Sequence, residues 1–302
     1  MNTIPIQAWI GATRPKTLPL ALCSILLGST LAYTNGSLSI STLVLAIVTA
    51  SLLQILSNLA NDYGDAVKGT DNEQRIGPTR AVQSGDISLP TMKKALWVTS
   101  LLTLVSGLAL VMMSVNTPTQ IVLFLGLGIS SMLAAVAYTV GKRPYGYLGL
   151  GDLAVLLFFG FVGVIGSEIL HTGVFTLLSL IPAAACGLLS VAVLNINNMR
   201  DIDNDEASGK HTVPVRIGLQ SAKQYHLILC GLAWALFACY LVFIDASILS
   251  IAIYSIALAP IAVHCGKIKE CDYPSQVAPL MGDVVKTALL VNVVFIVALL
   301  VN

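Results

Sequence analysis

Long apolar stretches, separated by short polar clusters, run the length of the chain. Nine of them approach the roughly 20 residues a helix needs to cross a hydrocarbon core. They cover residues 18–33, 40–59, 95–115, 121–140, 148–170, 174–194, 227–244, 248–263 and 284–301. These runs are too long and continuous for the alternating, roughly ten-residue segments of a membrane barrel, so each predicts a helix. The eighth is short, which predicts tilting or local thinning of the bilayer. Gly160, Gly163 and Gly166 in the fifth predict close approach of a neighbouring helix. The expected fold class is all-α, a polytopic membrane protein.

Composition agrees with the pattern. Of 302 residues, 56% are hydrophobic and 10% charged, with mean hydropathy +0.85. Water-facing domains carry about 25% charged residues, so an aqueous globule is excluded. The formal net charge of +1 is too small to attract a polyanion, and no nucleic-acid partner is expected. The placement of the cations says more than their number. Of the 16 Lys and Arg, 15 fall before the first run or between runs two and three, four and five, six and seven, and eight and nine, and Lys286 stands at the entry to the ninth. The connections around Asn35, Asn116, His171 and Asp245 carry none. Cations near span ends stay on the cytoplasmic side, which predicts a cytoplasmic amino terminus, an outer carboxyl terminus and a cell (inner) membrane location. The start of the chain shows no pattern of a cleavable signal. The scattered Cys indicate neither a disulfide framework nor a zinc site, and the His residues suggest no ligand cluster.

Two of the cytoplasmic connections are long and acidic: NLANDYGDAVKGTDNEQRIGPTRAVQSG from 58 to 85, and NINNMRDIDNDEASGKHTVPVRIG from 195 to 218. In the first, Asn58, Asn61, Asp62 and Asp65 stand at i, i+3, i+4 and i+7, on one helical face. In the second, Asn197, Asp201 and Asp205 stand at i, i+4 and i+8, with Asn198 beside them. Carboxylates stacked a turn apart repel unless a cation is held between them. Mg²⁺ suits such a stripe, since it binds a few carboxylates together with water and substrate phosphates. Lys68, Arg80, Lys142, Arg143, Lys210 and Arg216 fall in the same layer and could contact the remaining oxygens. Together these residues point to a Mg²⁺-bridged diphosphate. Asp71, Glu73, Asp86 and Glu206 read as solvated loop charges, as does Glu168 on the outer side. The acidic connections are separated by four runs, so the chain reads as a single domain, 1–302. It comprises two four-helix units, about 14–140 and 148–265, and a ninth helix, about 284–301. The stretches 62–94 and 199–224 are expected to cap the site.

The two motifs and their placement resemble the UbiA superfamily of intramembrane prenyltransferases, in which nine helices surround a central cavity. That family's first motif, N-D-x-x-D-x-x-x-D, is met by Asn61, Asp62 and Asp65, whereas its last Asp falls at Gly69. Its second, D-x-x-x-D, is met by Asp201 and Asp205. Within the superfamily, NLANDYGD (58–65), RIGPTR (75–80) and NNMRDIDND with GKHTVPVRIG (197–218) resemble the 1,4-dihydroxy-2-naphthoate polyprenyltransferases. So do R-P-x-T at Arg14 and Y-x-x-x-K at Tyr138 and Lys142. The resemblance implies that Asp62, Asp65, Asp201 and Asp205 bind Mg²⁺, expected as two ions, and that Asn58, Asn61 and Asn198 support them. It also implies that Lys142, Lys210, Arg216, Arg80 and Arg14 neutralise the leaving diphosphate and that Tyr138 contacts a substrate. The expected partners are polyprenyl diphosphate, 1,4-dihydroxy-2-naphthoate and the lipid bilayer, with no protein partner. The rival readings are a prenyltransferase for another aromatic acceptor, such as 4-hydroxybenzoate, and, more remotely, a secondary transporter.

Overall fold

The computed structural model describes residues 5–302 except Gln74. Its elements are α1 (Ile6–Thr13), α2 (Leu18–Thr34), α3 (Ile40–Lys68), α4 (Leu89–Ser114), α5 (Pro118–Ala137), α6 (Gly151–Thr172), α7 (Leu177–Arg200), α8 (Ile202–Ala207), α9 (Val213–Phe243), α10 (Ile248–Lys269) and α11 (Leu280–Leu300). Among the described residues there is no strand. Among the described residues, eight helices are long and apolar enough to cross a membrane, and α1 with α2, bent by 47°, brings the number to nine if the pair is one broken span. The bend has a local cause. Arg14 takes a left-handed conformation (φ 52°), and Pro15 cannot donate to a continuing helix.

The chain corrects several sequence boundaries. α10 is 22 residues long, not short, because it continues past a break at residues 256–257 to Lys269. α3 runs on to Lys68, where Gly69 closes it with φ 74°. The predicted cap over 199–224 is mostly helical: α7 reaches Arg200, α8 follows at once, and α9 begins at Val213. Gly160 and Gly163 do sit at close approaches, where an added Cβ would meet Ala183 O and Ser24 Cβ at 2.7 Å each. Gly166 does not, since its nearest neighbour would be 3.9 Å away. Residues 156–165 of α6 form a π-helix, and Ser24 Oγ of α2 donates to the carbonyl of Phe159 within it. One expected solvent role also fails, since Glu168 is 1% exposed. His226 and His264 meet through their Nε2 atoms at 2.9 Å.

Packing divides the bundle. One apolar core joins α2, α6, α7, α9, α10 and α11, with Phe237 stacked on Phe295 and Tyr254 edge-on to both. A smaller one joins α2, α3, α4, α5 and α6 around Ala46, Leu110 and Phe124. Between them lies a cavity of about 1360 Å³. The exposed outer faces of α4 and α5 carry Trp97, Leu101, Leu133 and other large apolar side chains, as a lipid-facing surface requires.

Candidate active site

α3 and α7 end side by side, and both polar stripes line the same end of the cavity. Asn58, Asn61, Asp62, Asp65, Asn197, Asn198, Asp201 and Asp205 all face it. Deeper, the lining becomes apolar through Leu53, Phe158, Phe159, Val162, Ile25, Phe124 and Leu170. A polar mouth over an apolar groove suits an amphiphile with an anionic head.

Three of the four motif carboxylates, Asp62, Asp201 and Asp205, have a cationic partner within 4 Å, whereas Asp65 accepts from the Tyr147 hydroxyl. Arg14 Nη2 is 2.6 Å from Asp62 Oδ1, and Arg80 Nε is 3.6 Å from the same atom. The left-handed turn at the end of α1 brings Arg14 there, while Asn58 Nδ2 donates to Thr13 O and fixes that turn to α3. Asp201 receives Arg200 Nε at 2.9 Å on Oδ1 and Arg75 Nη2 at 3.7 Å from Oδ2. Lys210 Nζ lies 3.5 Å from Asp205 Oδ1. Burial opposes ionisation of Asp201, but hydrogen bonding and charge from Arg200, then Arg75 and Lys210, outweigh it and hold its carboxyl below the usual range. Burial wins at Asp205 and pushes it up to about 6, despite Lys210. Lys210 is itself buried, which disfavours its charge, yet Asp65 and Asp205 hold its ammonium above the ordinary lysine value.

Not every expected residue reaches the mouth. Lys142 is exposed on the turn after α5 and lies outside the cavity lining, because α5 ends at Ala137 and the chain turns away before residue 142. Arg216 is also outside. Its guanidinium is spent on backbone carbonyls, donating to Leu148 O at 2.8 Å and His211 O at 3.1 Å. Tyr138 does line the cavity, edge-on to Tyr145. Asp71, expected in solvent, has a side chain only 1% exposed and pairs with Arg75 at 3.4 Å. Burial, then the charge of Asp65, pushes its carboxyl up to about 6. Residues 70, 75, 78–81, 84 and 86 line the cavity, so the segment between α3 and α4 contributes to its wall.

Three contributors were not singled out from the sequence. Arg75 stands in the RIGPTR string and Arg200 directly precedes Asp201, so proximity to the motifs was the available signal. Tyr147 carried none. It comes from the short 3₁₀ turn Tyr145–Leu148, and its hydroxyl donates to Asp65 Oδ1 at 2.7 Å.

The donor set can be tested against Mg²⁺. Asp205 Oδ2 and Asn198 Oδ1 are buried oxygens without a hydrogen-bond partner, on residues that line the mouth. Unsatisfied buried acceptors of this kind fit a cation. Among the described residues, no group of three or more His, Cys, Asp or Glu is arranged to hold an ion unaided. That is what Mg²⁺ chemistry leads one to expect, since the ion completes its octahedron with water and substrate phosphate.

Comparison with known proteins agrees with this geometry. The family model described as "UbiA prenyltransferase family" matches residues 21–281. The chain is 46% identical over 293 residues to 1,4-dihydroxy-2-naphthoate octaprenyltransferase of Escherichia coli, covering 96% of this chain and 94% of that one. It is 43% identical to the protein of the same name from Haemophilus influenzae, covering 98% and 97%. Among solved structures, the apo form of a UbiA homolog from Aeropyrum pernix superposes with TM-score 0.71 at 18% identity, covering 95% of this chain and 98% of that one. A UbiA homolog from Archaeoglobus fulgidus bound to GPP and Mg²⁺ gives 0.65 at 15% identity, covering 96% and 99%. With both the helical bundle and its full-length relatives in agreement, this chain belongs to the UbiA prenyltransferase family.

Proposed function

We propose that this protein transfers a polyprenyl group from polyprenyl diphosphate to 1,4-dihydroxy-2-naphthoate with loss of CO₂, giving the demethylmenaquinone skeleton and diphosphate. The observation that carries the reading is the convergence of two Asp-bearing helix ends on the mouth of an apolar cavity. Near-full-length identity to two proteins named for that acceptor selects it over 4-hydroxybenzoate. Acids gathered at one end of the bundle also disfavour transport, which places ion-coupling groups near the midplane.

Asp62, Asp65, Asp201 and Asp205 would hold Mg²⁺, as two ions. When bound, Mg²⁺ supplies positive charge to the diphosphate as the allylic C–O bond breaks. Asn58 and Asn61 brace α3 against its neighbours, since Asn61 Oδ1 accepts from Thr139 Oγ1 at 3.3 Å, while Asn198 presents its free oxygen. Arg14, Arg75, Arg80, Arg200 and Lys210 now neutralise the carboxylates. A diphosphate brought among them gives those cations a second set of oxygens, and their charge opposes the build-up of negative charge on the leaving group. The freed cation is delocalised over an allyl unit and is attacked by the electron-rich naphthoate ring. Tyr138, at the boundary between polar mouth and apolar groove, contacts the reacting end. The prenyl tail lies along Phe158, Phe159, Val162 and Leu170. The segment between α3 and α4 keeps out water, which would otherwise capture the cation. Arg216 acts by fastening the Leu148 and His211 backbone, and Lys142 remains a surface anchor. The site faces the cytoplasm, in a cell inner membrane, as the one-sided distribution of cations supports.

The test is purified protein in detergent, given octaprenyl diphosphate and either dihydroxynaphthoate or 4-hydroxybenzoate. Equimolar release of CO₂ and diphosphate with the naphthoate alone is expected. Prenylation of 4-hydroxybenzoate at a higher kcat/KM would overturn the choice of acceptor.

A further inference from the structure

Tyr147 belongs to neither Asp-bearing helix, yet it touches groups of both motifs. Its hydroxyl donates to Asp65 Oδ1 at 2.7 Å and lies 2.6 Å from Thr70 Oγ1. A phenol has one proton to give. With that proton on Asp65, the hydroxyl must accept from Thr70, so donors run in one direction from Thr70 to Tyr147 to Asp65. The ring faces two cations, with Lys210 Nζ 5.6 Å and Lys68 Nζ 5.2 Å from its centroid. Both lie within the distance at which an ammonium is attracted to an aromatic face.

The backbone around this turn is fixed from the side of the second motif. His211 N donates to Tyr147 O at 3.0 Å, and Asn204 Nδ2 donates to Thr70 O at 2.9 Å. Gly149, at φ 74°, lets the chain pass so close that a Cβ there would meet His211 O at 2.7 Å.

We propose that Tyr147 is the positioning residue that joins the two motifs. It occupies Asp65 Oδ1, leaving Oδ2 as the single oxygen offered to the metal diphosphate, and it sets Asp65 and Lys210 in register across the mouth. The proposal rests on the Mg²⁺-diphosphate reading above. A carboxylate free to rotate would present two equivalent oxygens and pay the ordering entropy on binding, and loss of such an orienting partner typically lowers metal affinity about 10–100-fold.

The experiment compares wild type with Tyr147→Phe, which removes the hydroxyl and keeps the ring. In detergent with an inert polyprenyl diphosphate analogue, the Mg²⁺ concentration giving half of the thermal stabilisation should rise about 10-fold or more in the variant. In turnover, half-saturating Mg²⁺ should rise in parallel, while kcat at saturating Mg²⁺ and KM for the acceptor stay within about threefold of wild type. Thr70→Val, which removes the donor behind Tyr147, should shift the Mg²⁺ midpoint in the same direction by less, and it supplies the test should Tyr147→Phe not fold. An unchanged Mg²⁺ midpoint in the folded variant overturns the role of Tyr147 alone. A wild-type protein whose binding of the analogue ignores Mg²⁺ overturns the functional reading itself. A loss of kcat at every Mg²⁺ concentration with an unmoved midpoint assigns Tyr147 a packing role, and likewise contradicts the proposal.

Discussion

At the scale of single residues, the site is a set of buried charges kept in balance by their neighbours, and removing one partner exposes the other. Lys210 is the clearest case, because its buried ammonium is held charged by both Asp65 and Asp205. Lys210→Met should lower kcat/KM by about 100-fold or more, with Lys210→Arg recovering part of the loss, as steady-state assays with both substrates would show. Asp71 gives a prediction about pH. Its carboxyl is pushed up to about 6 in the fold, whereas an unfolded Asp titrates near 4, at about 3.9. The folded state therefore favours the protonated form. The stability contributed by that form is complete below the unfolded value and is lost as pH rises through about 6. Without ligands, the unfolding temperature of wild type relative to Asp71→Asn should therefore be higher at pH 5 than at pH 8, because the variant lacks this titration. A wild-type to variant difference that does not change between the two pH values would contradict the assignment. The four motif Asp residues were legible from their spacing, which puts Asp62 and Asp65 on one face of α3, whereas Asp201 stands at the break after α7 and Asp205 on α8. Asp71 was not, since its burial depends on Arg75 and on a loop folded over the mouth, and no local pattern encodes that contact.

At the scale of elements, the apolar runs read well because span length is set by bilayer thickness and not by tertiary contacts. The ends of the spans read less well. α3, α7 and α9 extend beyond their apolar runs because their polar turns are buried and satisfy their backbone groups inside the protein. Gly64 shows how tightly. A Cβ there would stand 2.8 Å from the carbonyl carbon of Thr139, next to Tyr138. Gly64→Ala should push the end of α5 off α3 and lower kcat with little change in global unfolding temperature, measured by turnover and thermal melts in parallel. The connection between α3 and α4 makes a different prediction. Shortening Thr70–Gly77 while keeping Asp62 and Asp65 should raise hydrolysis of prenyl diphosphate relative to transfer, and an unchanged ratio would show that this segment does not exclude water.

At the scale of the whole molecule, few charges are present and they are unevenly placed. The fold gathers the motif Asp residues with five cations at one mouth and leaves the remainder of the cavity apolar. A prenyl diphosphate has the same division, with a charged head and a tail as apolar as the lipid. The proposed orientation rests on the same asymmetry, so a phosphatase reporter fused after Asn302 should be active outside the membrane, and a silent fusion would reverse the assignment. The central claim is that the ends of α3 and α7 together hold a metal diphosphate. Calorimetric binding of an inert polyprenyl diphosphate analogue, with Mg²⁺ or with EDTA, tests it directly in wild type, Asp62→Asn and Asp201→Asn. The account predicts tight binding only for wild type with Mg²⁺, weakened about 10-fold or more by either substitution or by chelation. Equal affinity in EDTA, or in both variants, would contradict it.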